Sequence, residues 1–592
     1  MTSLGILSTV LLSSALDART EQPNVVIMLA DDMGYDDLSI RGNTCVETPN
    51  LDWMAQNATC FNNFYVHSVS APTRASLLTG RHFLRTGISG VHAGRDFMNL
   101  DEVTIAEAFK AAGYTTGMWG KWHSGKTAGY YPWERGFDEA YMAQLYKYPT
   151  NNGLLNGVPH TLPEGRWTDA AITDMAIDFM ERNKENPFFV YLPYLSPHGK
   201  WDAPEEYVQR KMQQGQSRNF ATLNGMIDHL DVQIGRVFDA LEKEGLLENT
   251  IVVFFSDNGP ISAGKEALTK EEWALRNPSQ YRGNKGQNFE NGIHSNLFVY
   301  WKGNYQATVN NSLLGVYDLF PTLCDIADVP IPSNAKKMDG VSFKPILDNP
   351  QLVKKDRDIY ISQWHPFFEY HKDGIQEVPL TPSVRASIDA DIQMVGLHRG
   401  DYKVLLNMWG EDKLAMWNLQ KDYRETKELY KNGTAADKTL SKEYQKDILN
   451  WYNDILATEK SHQMPVFQIG LEPSGKTNIL CYGPIELSAG LKNETFKLSG
   501  FDAVGDRAEY QVNIVREGKY SFGIRVADGY KGTATFKVFT DKNDSIATVT
   551  VSNGKTDFQG IMLNKNVTRI GIELITASST SFGLSSLELL EK

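Results

Sequence analysis

Three short runs of this chain are apolar at every position: Val25-Val26-Ile27-Met28-Leu29-Ala30, Phe188-Phe189-Val190-Tyr191-Leu192 and Ile251-Val252-Val253-Phe254-Phe255. A strand with one wet face alternates apolar and polar side chains, so a run without alternation predicts a strand covered on both faces. Helical patterns fill the gaps, at Glu102 to Ala112, Trp167 to Asn183 and Phe220 to Glu244. The alternation predicts an α/β domain reaching to about residue 350, a mixed sheet with helices on both faces. Ligands of such sheets bind outside the carboxyl ends of strands, and the two most acidic strand ends here are Asp31-Asp32 and Asp257-Asn258.

At 592 residues the chain exceeds a single core, and its length suggests two to four domains. Short strands follow at Ile359 to Ile361, Gln393 to Leu397 and Lys403 to Leu406, then a helix from Ser441 to Leu456. Past Gln463 the pattern changes to alternation, as in Glu509 to Ile514, Lys519 to Val526 and Ala547 to Val551, which predicts an all-β sandwich. The expected divisions are 1–21, 22–354, 355–462 and 463–592. The first is an apolar segment from Leu4 to Leu16 with small residues at Ser13 and Ala15, the form of a signal peptide, which predicts a periplasmic or secreted protein. After it no apolar run approaches the roughly 20 residues that span a bilayer. A net charge of −13 argues against a nucleic-acid partner. The four cysteines, Cys45, Cys60, Cys324 and Cys481, show no metal-site spacing and read as small buried hydrophobes, with a Cys45–Cys60 bridge left open.

The segment Ser70-Ala71-Pro72-Thr73-Arg74, continued by Leu77-Leu78-Thr79-Gly80-Arg81, carries the most specific functional signal. Locally it reads as a loop Ser before a helix with Pro in its first turn. It also resembles the modification site of type I sulfatases, formylglycine-dependent members of the alkaline phosphatase superfamily, in the Ser form that anaerobic radical maturases convert. The resemblance implies that Ser70 is oxidised to an aldehyde by a sulfatase-maturating enzyme. A Ser alkoxide attacking sulfur would leave a stable sulfate ester, whereas a hydrated aldehyde attacks with one hydroxyl and expels sulfate by deprotonating the other.

Asp31, Asp32, Asp257 and Asn258 offer only oxygen, which suits Ca²⁺ or Mg²⁺ and not Zn²⁺. Singly, an Asp after a strand is most often a cap or turn former. Together they match the metal site of the family, where the diol at position 70 completes the coordination and Asp257 accepts the attacking hydroxyl's proton. By the same resemblance, Gly120-Lys121-Trp122-His123 supplies Lys121 as a sulfate-binding cation and His123 as the base for sulfate expulsion. His198, in Ser196-Pro197-His198, stands as the general acid, Lys285 as a second sulfate-binding cation and Arg74 as support for the diol. One departure is Glu290-Asn291-Gly292-Ile293-His294-Ser295-Asn296, where His294 replaces the family's Arg and suggests a different substrate neighbourhood.

Two other readings stay open: a phosphohydrolase of the same superfamily using unmodified Ser70, and a non-catalytic binder of sulfated glycans. Residues after Gln463 resemble a carbohydrate-binding-module jelly roll, which points to a sulfated polysaccharide or glycan as substrate. The candidates for reading its sugar are His92, Arg95 and Asp96, between the Ser70 helix and the Lys121 strand, and His365, which opens the second subdomain.

Overall fold

A computed structural model of the chain describes residues 22–262, 267–362, 368–371, 374–377, 395–406, 414–459, 464–472, 474–527, 529–578 and 582–592. Their central feature is a ten-stranded mixed sheet. Its strands in chain order are β1 (Asn24–Ala30), β2 (Thr59–Tyr65), β3 (Thr115–Gly120), β4 (Glu139–Met142), β5 (Asn152–Leu155), β6 (Val158–Thr161), β7 (Phe188–Pro193), β8 (Thr250–Ser256), β9 (His294–Tyr300) and β10 (Thr308–Gly315). They lie in the order β10-β2-β9-β8-β1-β7-β3-β4-β5-β6.

The apolar runs are explained by what covers them. Val25, Ile27 and Leu29 face one core and Val26, Met28 and Ala30 the other, so no position of β1 meets water. Helices Thr168–Arg182 and Arg218–Lys243 bury Ile172, Phe179, Leu223 and Ile234 on one face. Helices Ser70–Thr79, Ile105–Ala111 and Leu319–Ile326 bury Leu77, Phe109 and Phe320 on the other. The helix expected from Glu102 starts at Ile105 instead, because Thr104 and Glu107 cap its amino end reciprocally.

Four neighbouring strands, β8, β1, β7 and β3, run parallel in consecutive pairs. Ala30 pairs with Ser256 in register, so the residues that follow them, Asp31 and Asp257, emerge side by side. The carboxyl ends of all four strands open at one edge.

A second, antiparallel sheet orders β11 (Asp358–Ser362), β12 (Val395–Arg399), β13 (Tyr402–Leu406) and β14 (Leu414–Asn418) consecutively. Helix Ala435–Thr458 joins it to the first core through Ile448, Tyr452 and Ile455. That helix begins six residues ahead of the expected Ser441, since Thr434 and Asp437 form a capping box. From Val466 onward the described residues form two β-sheets, of seven and six strands, closed over their own core of Tyr510, Phe522, Ile524, Phe536, Ile572 and Leu587. The Cys45–Cys60 bridge is not made: both are free, buried thiols, and Cys60 Sγ donates to Ala55 O at 3.1 Å. Among the described residues no helix is long and apolar enough to cross a membrane.

Candidate active site

Ser70 is the first residue of its helix, not a loop residue before it, and Val69 holds the N-cap position. Its hydroxyl does not serve the helix end. Ser70 Oγ lies 3.2 Å from Asp31 Oδ1 and 3.2 Å from Asn258 Oδ1, and accepts from Lys121 Nζ at 3.0 Å. One turn on, and so on the same helix face, Arg74 donates through Nε and Nη2 to Asp257 Oδ2 at 3.1 and 2.7 Å. Its Nη1 donates to Lys121 O at 3.1 Å. Every residue of this helix is buried, which fixes Ser70 and Arg74 against the strand ends.

Each strand end delivers its residue through the backbone. The amides of Asp257, Asp31 and Lys121 donate to Ala30, Ser196 and Pro193 carbonyls, carrying the four-strand pairing one step past the sheet. Gly120 permits this at β3: its φ is +133°, and a Cβ there would meet Pro193 O at 2.0 Å. Asp32 and His123 hold left-handed φ values of 66° and 60°, and such strain is tolerated where the surroundings over-determine it. Lys285 comes from a separate loop whose amides at 285 and 286 donate to Pro260 O and Ser68 O, tying it to Asn258 and Ser70. Its Nζ donates to Asp32 Oδ1 at 2.6 Å, while Lys121 Nζ reaches Asp31 Oδ2 at 2.6 Å.

Three carboxylates thus meet three cations in a largely buried site: Asp31 with Lys121, Asp32 with Lys285, and Asp257 with Arg74. Burial alone would raise the acids, yet Lys121 and His198 hold Asp31 below its ordinary value and His198 and Lys285 do the same for Asp32. Burial likewise opposes charge on Lys285, and Asp32 outweighs it. Lys121 stays lowered, because burial and the nearby Arg74 exceed what Asp31 returns. His123 is pushed well below the imidazole range by burial and by Lys121. With Nε2 donating to Val91 O at 3.0 Å, its Nδ1 carries a lone pair and has no hydrogen-bond partner among the described residues.

The charge balance decides whether a cation belongs here. Three acids and three bases cancel, so these groups alone offer an anionic ester no net positive charge. A divalent ion would supply the excess, and Asp32 Oδ2 is buried without a hydrogen-bond donor among the described residues. Ligand atoms of Asp31, Asp32 and His198 lie within 4.8 Å of one another. Asn258 Oδ1 lies 3.2 Å from Ser70 Oγ, while its Nδ2 donates to Asp32 Oδ1 at 2.8 Å. The oxygen-dominated set fits a hard cation.

Two placements differ from the sequence reading. Asp257 has both oxygens engaged, Oδ2 by Arg74 and Oδ1 by the Asp32 amide at 3.2 Å, so the carboxylate that reaches unmodified Ser70 Oγ is Asp31. His294 stacks between Tyr35 and Tyr65 at 4.3 and 5.5 Å and is buried, so it packs against aromatic rings where the sequence reading looked for a substrate neighbour. His198 lies 3.6 Å from Asp32 Oδ2 through Nε2, while its Nδ1 pairs with Gly199 O.

A cavity of about 490 Å³ opens beside the site, lined by His123, His92, Asp96, Lys126, Tyr146 and Phe496 among others. His92 and Asp96 thus line a cavity together with His123. Arg95 instead donates through Nε to His92 O at 3.4 Å within its own turn, and His365 lies outside the described residues. Tyr146, 41% exposed with its ring 5.1 Å from His198, was not anticipated, and neither were Lys126 and Phe496. An exposed aromatic after a strand leaves no periodic signal.

Fold and site together define an α/β protein that gathers a buried serine, three carboxylates, three cations and two histidines at the strand ends of an alkaline-phosphatase-like mixed sheet. Residues 23–329 match the Sulfatase family model, and the chain belongs to that family and is a sulfuric ester hydrolase. It is 31% identical over 366 residues to human arylsulfatase A, covering 56% of this chain and 68% of that one. The crystal structure of Ps i-CgsB in complex with k-i-k-neocarrahexaose aligns with TM-score 0.60 at 24% identity, over 75% of this chain and 94% of that one. A protein solved in complex with its substrate D-glucosamine-2-N,6-O-disulfate aligns with TM-score 0.57 at 20% identity, over 75% and 100%.

Proposed function

We propose that this sulfatase removes sulfate from a sulfated polysaccharide or glycan, using a formylglycine made from Ser70. The observation that carries the reading is Ser70 Oγ held 3.0 Å from Lys121 Nζ and 3.2 Å from Asp31 and Asn258. Ser70 Oγ stands for one hydroxyl of the hydrated aldehyde. That hydroxyl bonds to sulfur, its proton passing to a carboxylate of the cluster, as the S–O bond to the sugar breaks. His198 donates a proton to the departing oxygen. His123, neutral through burial, then takes the second hydroxyl's proton; the carbonyl reforms and the C–O bond to sulfate breaks. Lys121, Lys285 and Arg74 keep the anion in place throughout. Asp31, Asp32, Asp257 and Asn258 would hold a Ca²⁺ or Mg²⁺, which when bound supplies the positive charge the site lacks.

Glycan as the substrate class is supported by the two structural relatives, whose ligands are a neocarrahexaose and a sulfated glucosamine. Residues 22–354 and 355–462 form the catalytic unit in this reading and 463–592 an appended sandwich, with export to the periplasm or medium after removal of 1–21. Assay of the matured enzyme by sulfate release from carrageenan, chondroitin and heparan oligosaccharides tests it. Turnover of at least one of them above an aryl sulfate is expected; cleavage of aryl sulfates alone, or of phosphate esters in preference, would contradict it.

A further inference from the structure

We infer that the C-terminal sandwich completes the substrate cleft: Phe496, at the tip of a hairpin between strands Lys492–Asn493 and Leu498–Ser499, positions the saccharide unit next to the one bearing the scissile sulfate. The inference rests on the glycan-sulfatase reading above and extends it to a domain holding none of the catalytic residues.

The hairpin and the neighbouring strand Lys476–Leu480 are fastened to the catalytic domain beside the site. Asn493 Nδ2 donates to Ala93 O at 3.1 Å, and Thr127 Oγ1 donates to Asn478 O at 3.0 Å. Gly94 shows how close the two domains come, since at its φ of +81° a Cβ would meet Met464 at 2.6 Å and Tyr482 O at 2.9 Å. Lys126 Nζ sits 5.0 and 5.1 Å from the rings of Tyr482 and Phe496, and His92 meets Phe496 edge to face at 5.8 Å. Despite these contacts Phe496 remains 54% exposed. A large aromatic held from both sides yet left open offers a flat apolar face to a ligand.

Phe496 also lines a second depression, of about 430 Å³, on the sandwich surface. It is the residue the two lining sets share, so it stands on the ridge between them. Across that depression Lys476 and Arg525 converge on one carboxylate, Glu588, at 3.0 and 2.6 Å. Two cations against one acid leave the groove net positive, as an anionic polymer requires. In the catalytic cavity Asp96 is 3% exposed, and its Oδ1 has no hydrogen-bond donor among the described residues. A sugar hydroxyl supplies that donor. Carboxylate below and aromatic face beside is the pairing a sugar ring needs, hydrogen bonds at its edge and stacking on its face. The occupant is therefore a sulfated oligosaccharide running from the catalytic cavity over Phe496 onto the sandwich.

The test compares kcat/KM on a sulfated tetrasaccharide that the wild type accepts with kcat/KM on 4-nitrophenyl sulfate. Phe496→Ala should lower the ratio of the two about tenfold, the size of one lost aromatic contact, chiefly through KM for the tetrasaccharide. Phe496→Trp should restore it. A ratio that stays unchanged, whether both substrates suffer equally or neither does, would overturn the inference alone. A wild type that accepts no sulfated saccharide would defeat the glycan reading first, and this inference with it.

Discussion

Lys121 Nζ touches Ser70 Oγ at 3.0 Å while gripping both oxygens of Asp31 at 2.8 and 2.6 Å. One ammonium thus links the residue to be oxidised with a carboxylate of the cation site, and it does so with 2% of its side chain exposed. Its desolvated charge has two roles, in catalysis and in folding, and substitution separates them.

Lys121→Ala and Lys285→Ala should each lower kcat/KM about 10²–10³-fold, as loss of a preorganised charge does elsewhere. Their stabilities should differ. Removing Lys121 takes the close ammonium from a fully buried pair and leaves Asp31 the Ser70 hydroxyl at 3.2 Å and Arg74 at 3.8 Å, a cost of about 3–5 kcal/mol, whereas Lys285 is 16% exposed, so water replaces part of its charge and Asp32 keeps Asn258 and His198. Thermal melts read alongside kinetics check this; equal Tm losses would argue against the asymmetry.

Prolonged chelation should abolish activity, and Ca²⁺ or Mg²⁺ should restore it. Elemental analysis should find about one divalent ion per chain, and Asp32→Ala should lose it. Stoichiometric zinc would contradict the oxygen-ligand assignment and favour the phosphohydrolase reading.

A pH effect on stability follows from a charge cluster outside the active site. Lys403 is buried between Glu290 and Glu425, at 3.0 and 2.9 Å. Burial, opposed by Lys403 and aided by Glu290, raises Glu425 from 4.5 to about 7. A carboxyl raised on folding gives its full stabilisation below its unfolded value and loses it as pH rises through the folded one. Wild-type Tm should therefore fall between pH 4.5 and about 7 by more than the Tm of Glu425→Gln does. Glu290 does not interfere, because burial opposed by Lys403 and His398 leaves it lowered, so its own titration lies beneath that window. Parallel profiles for the two proteins would refute the assignment.

What could be read from the chain follows from how local its causes are. β1, β7 and β8 were legible because burial on both faces removes alternation from the sequence itself. Helix starts moved to Ile105 and Ala435, where capping pairs three residues apart outweigh apolar periodicity. Ser70 announced itself through its neighbours, yet its contacts Asp31 and Asn258 lie 39 and 188 residues away, and their convergence needed the resemblance to a known family. Asp257 kept its place and not its expected contact, because Arg74 claims its free oxygen. Phe496 was invisible. Its effect depends on how a hairpin of the last domain docks on residues 90–96, and no pattern within either segment encodes that docking.

Catalysis by a hydrated aldehyde requires that residue 70 be oxidised. Peptide mass analysis of active enzyme, produced together with a Ser-type sulfatase-maturating enzyme, should show the Ser70 peptide lighter by two hydrogens, with sulfate release rising in proportion to that fraction and absent from Ser70→Ala. Full activity from protein whose Ser70 peptide retains its unmodified mass would contradict the formylglycine mechanism and leave the serine itself as the nucleophile.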